Sequence, residues 1–169
     1  MGSGVEERVR FGVLGPLEVV RNGVPARLGG ERQRTLLGLL VVDANRLVRM
    51  DRLVDVLVGE QRAGGAANTV RVAVSRLRAV IETGDTRRIV VTEPGGYVLR
   101  ADVEQLDVAR FERLLGEARG QLAGGHAAGS VVLLREALGL WRGEPLADVA
   151  QVECFQARFG GWRSCACWR

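Results

Sequence analysis

Apolar and polar positions sort this chain into two kinds of segment. In the first thirty residues, "VRFGVLG" (9–15), "LEVVRNG" (17–23) and "VPARLG" (24–29) are rich in strand-forming residues and break at Gly15-Pro16 and Asn22-Gly23. The second break is a two-residue hairpin signal, because both residues of such a turn take positive φ. From there the spacing becomes helical. In "ERQRTLLGLLVVDAN", Leu36, Leu37, Leu40 and Val41 repeat at helical spacing, with Arg32, Gln33 and Arg34 in the first turn. In "VRMDRLVDVLVG" (48–59), Met50, Leu53, Val54 and Leu57 share a face, and Asp51 is placed to start the helix. After a glycine-rich stretch (62–66), "ANTVRVAVSRLRAVIE" (67–82) sets Val70, Val74, Leu77 and Ile81 in one apolar stripe. "IVVTEPGGYVLR" (89–100) then reads as strand, Pro-Gly-Gly turn and strand.

Beyond a junction at "ADVEQLD" (101–107), the pattern is helical again. Phe111, Leu114, Leu115 and Ala118 mark a helix over 107–124, and "HAAGSVVLLREALGLW" (126–141) forms a second. The short "GGH" link predicts an antiparallel pair, similar in form to a tetratricopeptide hairpin, although one pair is not an array. The expected fold is therefore an α+β winged helix-turn-helix with an N-terminal antiparallel sheet and a C-terminal β-hairpin wing, followed by an all-α partial domain. The expected divisions are a disordered start (1–8), a winged-helix unit (9–100), a helical unit (101–150) and a separate tail (151–169).

Charge supports two different modules. Residues 1–100 hold sixteen arginines against eleven carboxylates, whereas residues 101–169 hold eight against nine. A basic front half fits a polyanion-binding module, though a solvated surface with a mild excess has the same composition. All 24 basic residues are arginine, which points to a GC-rich gene. The apolar runs are too short to span a bilayer, and "MGSGVEERVR" is not a secretory signal, so the expected location is the cytoplasm. Catalysis finds little support. The single histidine, His126, stands in a Gly/Ala-rich helix connection without a nucleophile or carboxylate in a recognisable arrangement, and no glycine loop follows a strand to cradle phosphate. No enzyme activity, cofactor or metal site is expected.

Three helices followed by a hairpin is the order of a winged helix, in which the last helix enters the DNA major groove. The third helix has the composition for that task. Its apolar stripe would hold it to the core, leaving Asn68, Thr69, Arg71, Val72, Ser75, Arg76 and Arg78 outward. Arginine can take guanine O6 and N7 with two hydrogen bonds, or clamp a phosphate. An ordinary amphipathic helix with a solvated face has the same pattern. The hairpin that follows, with Arg87 and Arg88 at its base and Tyr97 after its turn, favours the DNA reading.

"TVRVAVSRLRAVI" followed by "IVVTEPGGYVLR" resembles the OmpR/PhoB-type winged helix. "LDVARFERLLGEARGQLAGG…VVLLREALGLWRGEPLADV" resembles the bacterial transcriptional activation domain, and the combination is similar to the Streptomyces antibiotic regulatory proteins. The resemblance runs from about Val9 to Val149. It implies a sequence-specific activator of biosynthetic gene clusters that binds promoter direct repeats as side-by-side protomers and recruits RNA polymerase through its sigma factor. It places Arg71, Ser75, Arg76 and Arg78 in the recognition helix and the segment from Thr92 to Tyr97 in the wing. It puts Gln33 and Arg34 against the phosphate backbone and makes the loop opening with Gly59, Glu60, Gln61 and Arg62 the polymerase contact. No membrane partner is implied. That loop departs from the family pattern, since Val58 stands where tryptophan is expected and no Pro-Pro segment follows. The helical unit is also shorter than the family's.

The chain ends in "WRSCACWR" (162–169). A metal site would have to draw on Cys154, Cys165, Cys167 and His126, yet Cys-x-Cys is not the usual structural-zinc spacing. A redox pair lacks the Cys-x-x-Cys context. A shifted reading frame fits better. The "LEELRL"-like helix of related activation domains, written in GC-rich codons and read one nucleotide late, spells WRSCACWR. Three functions remain open on the sequence: an activator, a DNA-binding form that occupies its site without activating, and a protein-interaction module whose winged helix is structural.

Overall fold

The computed structural model describes residues 9–59, 65–82 and 88–149. The expected disordered start, most of the polymerase loop (60–64), Arg87 and the tail from residue 150, with all three cysteines, lie outside them.

The chain begins with an antiparallel sheet of β1 (Val9–Gly12), β2 (Glu18–Arg21) and β3 (Val24–Pro25), in that order. The β2–β3 turn is the Asn22-Gly23 pair, with φ of 50° and 83°. Arg21 pairs with Val24 across it, as the two-residue hairpin signal requires. The third strand is shorter than the 24–29 segment the sequence implied. The ladder ends one residue past Pro25, where Ala26 N–H still donates to the Val19 carbonyl at 2.8 Å, and the chain then runs on to the next helix.

Three helices follow: α1 (Glu31–Val42), α2 (Met50–Val58) and α3 (Ala66–Ile81). Every residue of α1 from Thr35 to Val41 is buried, so it is the central element rather than a surface helix with one apolar face. By contrast, α3 buries only Val70, Val74, Leu77 and Ile81, the stripe read from its spacing.

The wing differs from a plain hairpin. Strands β5 (Val90–Glu93) and β6 (Gly96–Leu99) are joined by a third, β4 (Val48–Arg49), in the order β4-β6-β5. Val48 pairs with Tyr97 and Arg49 with Gly96, and the first amide of α2, Met50 N–H, donates to the Gly95 carbonyl at 2.8 Å. The segment 48–59 reads in sequence as one helical stretch with Asp51 placed to start the helix, and nothing in it marks Val48 and Arg49 as a strand. Two residues paired through their backbones leave no periodicity to read.

After a single 3-10 turn (Val103–Gln105), α4 (Asp107–Ala123) and α5 (Ala127–Gly139) form the antiparallel pair. His126 is exposed at the start of α5. The pair does not stand apart from the front half, because one hydrophobic core runs from Val9 and Phe11 through Leu36, Leu40 and Leu77 to Phe111, Leu114, Leu146 and Val149. Phe111 on α4 meets Trp141 edge to face, with ring centroids 5.3 Å apart. The seam with β1 and the loop after it is hydrogen-bonded as well. Val13 N–H and Leu14 N–H donate to Asp107 at 2.9 Å, Arg142 N–H to the Leu14 carbonyl at 2.7 Å, and Leu146 N–H to the Gly15 carbonyl at 2.7 Å.

Candidate nucleic-acid interface

The exposed side of α3 follows from its buried side. With Val70, Val74, Leu77 and Ile81 held in the core, Asn68, Arg71, Val72, Ser75, Arg76 and Ala79 are exposed along one continuous face. Thr69 is half-buried at its edge. No carboxylate occurs between Ala66 and Ile81, so every charge on the face is positive. Among the described residues, neither Arg71 nor Arg76 is held in an ion pair. Val72, 40% exposed, puts an apolar group between them.

Arg78 is placed differently. Its Nε and Nη2 both donate to the Val90 carbonyl, at 3.0 and 2.7 Å, and Nη2 also donates to Thr92 Oγ1 at 2.9 Å. Its guanidinium carbon lies 5.9 Å from the centroid of the Tyr97 ring. The sequence-predicted residues Arg78, Thr92 and Tyr97 are thus brought together, but with one another. Tyr97 is buried, while Thr92 and Arg88 are exposed on the wing side of the helix.

The α1 residues are also engaged within the protein. Gln33 Oε1 accepts from Gly29 N–H at 2.7 Å, which braces the turn leading into the helix. Arg34 forms an ion pair with Asp148, whose other oxygen accepts from Leu17 N–H at 2.6 Å. Gly59 closes α2 with φ of 64°, and its N–H donates to the Asp55 carbonyl at 3.1 Å. Glu60, Gln61 and Arg62 lie outside the described residues.

Sequence reasoning missed Glu82, Asp107, Arg142 and Asp148. Asp107, Arg142 and Asp148 act on backbone groups or charges remote in the chain, which no local pattern marks, whereas Glu82 takes the Val90 N–H only eight residues on. On α4 the hydrogen bond to Glu117, one turn on, raises the Arg113 guanidinium above the ordinary arginine value. Among the described residues, no group of histidine, cysteine or carboxylate side chains is arranged to hold a metal ion, and no helix is long and apolar enough to cross a membrane.

A helical core, an exposed basic last helix and a strand-backed hairpin beside it define a winged-helix protein. Comparison with known proteins narrows the class. Residues 27–99 match the family described as transcriptional regulatory protein, C terminal, and residues 106–164 match the bacterial transcriptional activator domain. The chain belongs to the Streptomyces antibiotic regulatory protein family of transcriptional activators. It is 39% identical to the regulatory protein AfsR of Streptomyces coelicolor over 160 residues, covering 92% of this chain and 16% of that protein. It is 30% identical to DnrI of Streptomyces peucetius, covering 83% of this chain and 54% of that one. A solved structure of Mycobacterium tuberculosis EmbR, in complex with a low-affinity phosphopeptide, superposes with a TM-score of 0.86 at 31% identity, covering 94% of this chain and 43% of that chain. The chain therefore spans between about one-sixth and about half of these relatives. Its β1–β3 sheet lies ahead of both family matches, yet it is the surface on which the two matched regions join.

Proposed function

We propose that this protein is a sequence-specific DNA-binding regulator that reads the major groove with the exposed face of α3 and activates transcription of a biosynthetic gene cluster. The observation that carries the reading is the pair Arg71 and Arg76, exposed on α3 and held in no ion pair among the described residues, with Val72 between them. Two guanidinium forks on a helix without carboxylates suit guanine edges and phosphates, and an apolar group beside them suits a thymine methyl. The protein acts in the cytoplasm without a cofactor, on promoter direct repeats bound by side-by-side protomers. Residues 9–100 form the DNA-binding unit and residues 101–150 the start of the activator unit, which with the α2–α3 loop meets RNA polymerase and its sigma factor.

The test begins with duplexes selected by the protein from a randomised pool, followed by gel shifts at about 50 and about 200 mM salt. A protein making several phosphate contacts loses about a thousandfold or more in affinity over that range. Affinity that does not change with salt would overturn the proposal. Transcription in vitro with purified polymerase then separates an activator from a form that only occupies its site. That second form is favoured by Val58, which stands where the family has tryptophan at the start of the polymerase loop. For the tail, the activator-domain match continues to residue 164. The shifted-frame reading of 151–169 fails if the neighbouring nucleotide frame encodes no amphipathic helix.

A further inference from the structure

We propose that Arg78 is a positioning residue that fixes the wing against the recognition helix, leaving Arg71 and Arg76 as the arginines that meet DNA. The inference rests on the DNA-binding reading above and divides the work among its arginines.

Two side chains one turn apart on α3 grip a single residue of the wing by both of its backbone groups. Val90 N–H donates to Glu82 Oε1 at 2.6 Å, and the Val90 carbonyl accepts from Arg78 Nε and Nη2. Arg78 Nε and Glu82 Oε2 are themselves 4.0 Å apart. Val90 opens β5, an edge strand of the β4-β6-β5 sheet. An edge strand leaves alternate N–H and C=O groups without a neighbour in the sheet. Here α3 supplies that neighbour, so the wing's outer edge is completed by side chains of the helix beside it. Thr92, the next residue on the same side of β5, is held by the same guanidinium through its hydroxyl.

The guanidinium has five N–H donors, and three are committed to β5: the one on Nε and both on Nη2. A guanine edge needs a free fork, and the fork of Arg78 is already in use. Its face lies towards Tyr97, which is buried and pairs with both Val48 and Thr92. The contact therefore reaches the middle strand as well as the edge. Lysine could keep the charge but not the planar fork.

The 169-residue chain and four variants test this: Arg78→Lys, Arg78→Ala, Thr92→Val and Arg76→Ala. Without DNA, amide hydrogen exchange is followed along α3 and the wing. Arg78→Lys is expected to speed exchange from Val90 to Leu99 by about tenfold or more, the loss expected for hydrogen bonds from a charged group. Amides of α1 and α3 should hold, Thr92→Val should give a smaller effect in the same place, and Arg76→Ala should give none. Unchanged wing protection in Arg78→Lys overturns the proposal.

On the selected duplex, Arg78→Lys and Arg78→Ala are expected to weaken binding by similar factors and to leave the slope of affinity against salt as in the wild type. Rescue by lysine, or a slope lowered by about one unit in Arg78→Ala, makes Arg78 a phosphate contact and overturns the proposal. Relaxed preference at one base pair makes it a base reader and does the same. If the wild-type protein binds no duplex, the DNA reading fails by itself, while the exchange pattern still decides whether Arg78 positions the wing.

Discussion

Arg142, just past α5, lies 3.3 Å from Asp107 at the start of α4, and both reach across to the loop that follows β1. Arg142 Nη1 donates to the Pro16 carbonyl at 3.0 Å and lies 3.0 Å from Glu18, while Asp107 accepts from Val13 and Leu14. The pair joins the helical hairpin to the N-terminal sheet, and Asp148 with Arg34 and Leu17 forms a second joint nearby. The two joints therefore tie α4 and the segment after α5 to the N-terminal sheet and to the first turn of α1.

Asp107→Asn should weaken this joint without emptying it. The amide keeps one acceptor oxygen but loses the charge that serves two backbone N–H groups and Arg142. With the carboxylate side chain 14% exposed, the loss is expected at roughly 1.5–3 kcal/mol, the range for hydrogen bonds to a charged group. Urea denaturation checks it. A midpoint that moves by less than the error of the measurement would show that the charge of Asp107 does not hold the seam.

The Asp107 joint also shows where sequence reading stops. The stripe Val70, Val74, Leu77 and Ile81 fixed both faces of α3, because a helical period is a local property. Asn22-Gly23 and the Pro-Gly-Gly turn located two hairpins for the same reason. The backbone partners of Asp107 and Asp148 lie more than ninety residues away in the chain, and Arg142 is 35 residues from Asp107, so nothing near either residue marks it. Arg76 and Arg78 look alike in sequence, two residues apart on an amphipathic helix. Only the position of β5 leaves one exposed and commits the other. Arg34 likewise has the composition of a phosphate contact and is engaged by Asp148.

Arg76→Ala should affect recognition and spare the fold. Its side chain is exposed and makes no ion pair among the described residues, so thermal stability should change by no more than about 0.5 kcal/mol. DNA affinity should fall by roughly 1–3 kcal/mol, with preference relaxed at one base pair. Gel shifts against single-base variants of the selected duplex provide the measurement. Binding equal to the wild type at every variant would remove Arg76 from the interface.

Val72 offers a finer check on the same face. If its exposed methyl groups meet a thymine methyl, replacing that thymine by deoxyuridine removes a buried methyl, at a cost of about 0.8 kcal/mol or roughly fourfold in affinity. Val72→Ala should lose the sensitivity to that replacement, since the alanine methyl no longer reaches the base. Duplexes substituted one thymine at a time locate the contact. Equal sensitivity in wild type and variant would place Val72 away from the groove.

Gly96→Ala tests whether the wing depends on β4. A Cβ at this position would overlap the Val48 carbonyl, which is backbone and cannot turn aside. The β4–β6 pairing would have to open, which also disturbs the bond from Met50 N–H to the Gly95 carbonyl and hence the start of α2. The expected loss is on the order of 2–3 kcal/mol, within the range for a buried steric conflict. The neighbouring Gly95 separates this effect from backbone strain. Its φ is 87° and nothing lies within 4 Å of its missing Cβ, so Gly95→Ala should cost only the left-handed penalty of about 1–2 kcal/mol. Hydrogen exchange distinguishes the two variants more sharply than stability does. Gly96→Ala should expose the amides of Met50 and Tyr97, whereas Gly95→Ala should confine its effect to the turn. If both variants give the same exchange pattern, β4 does not support the wing.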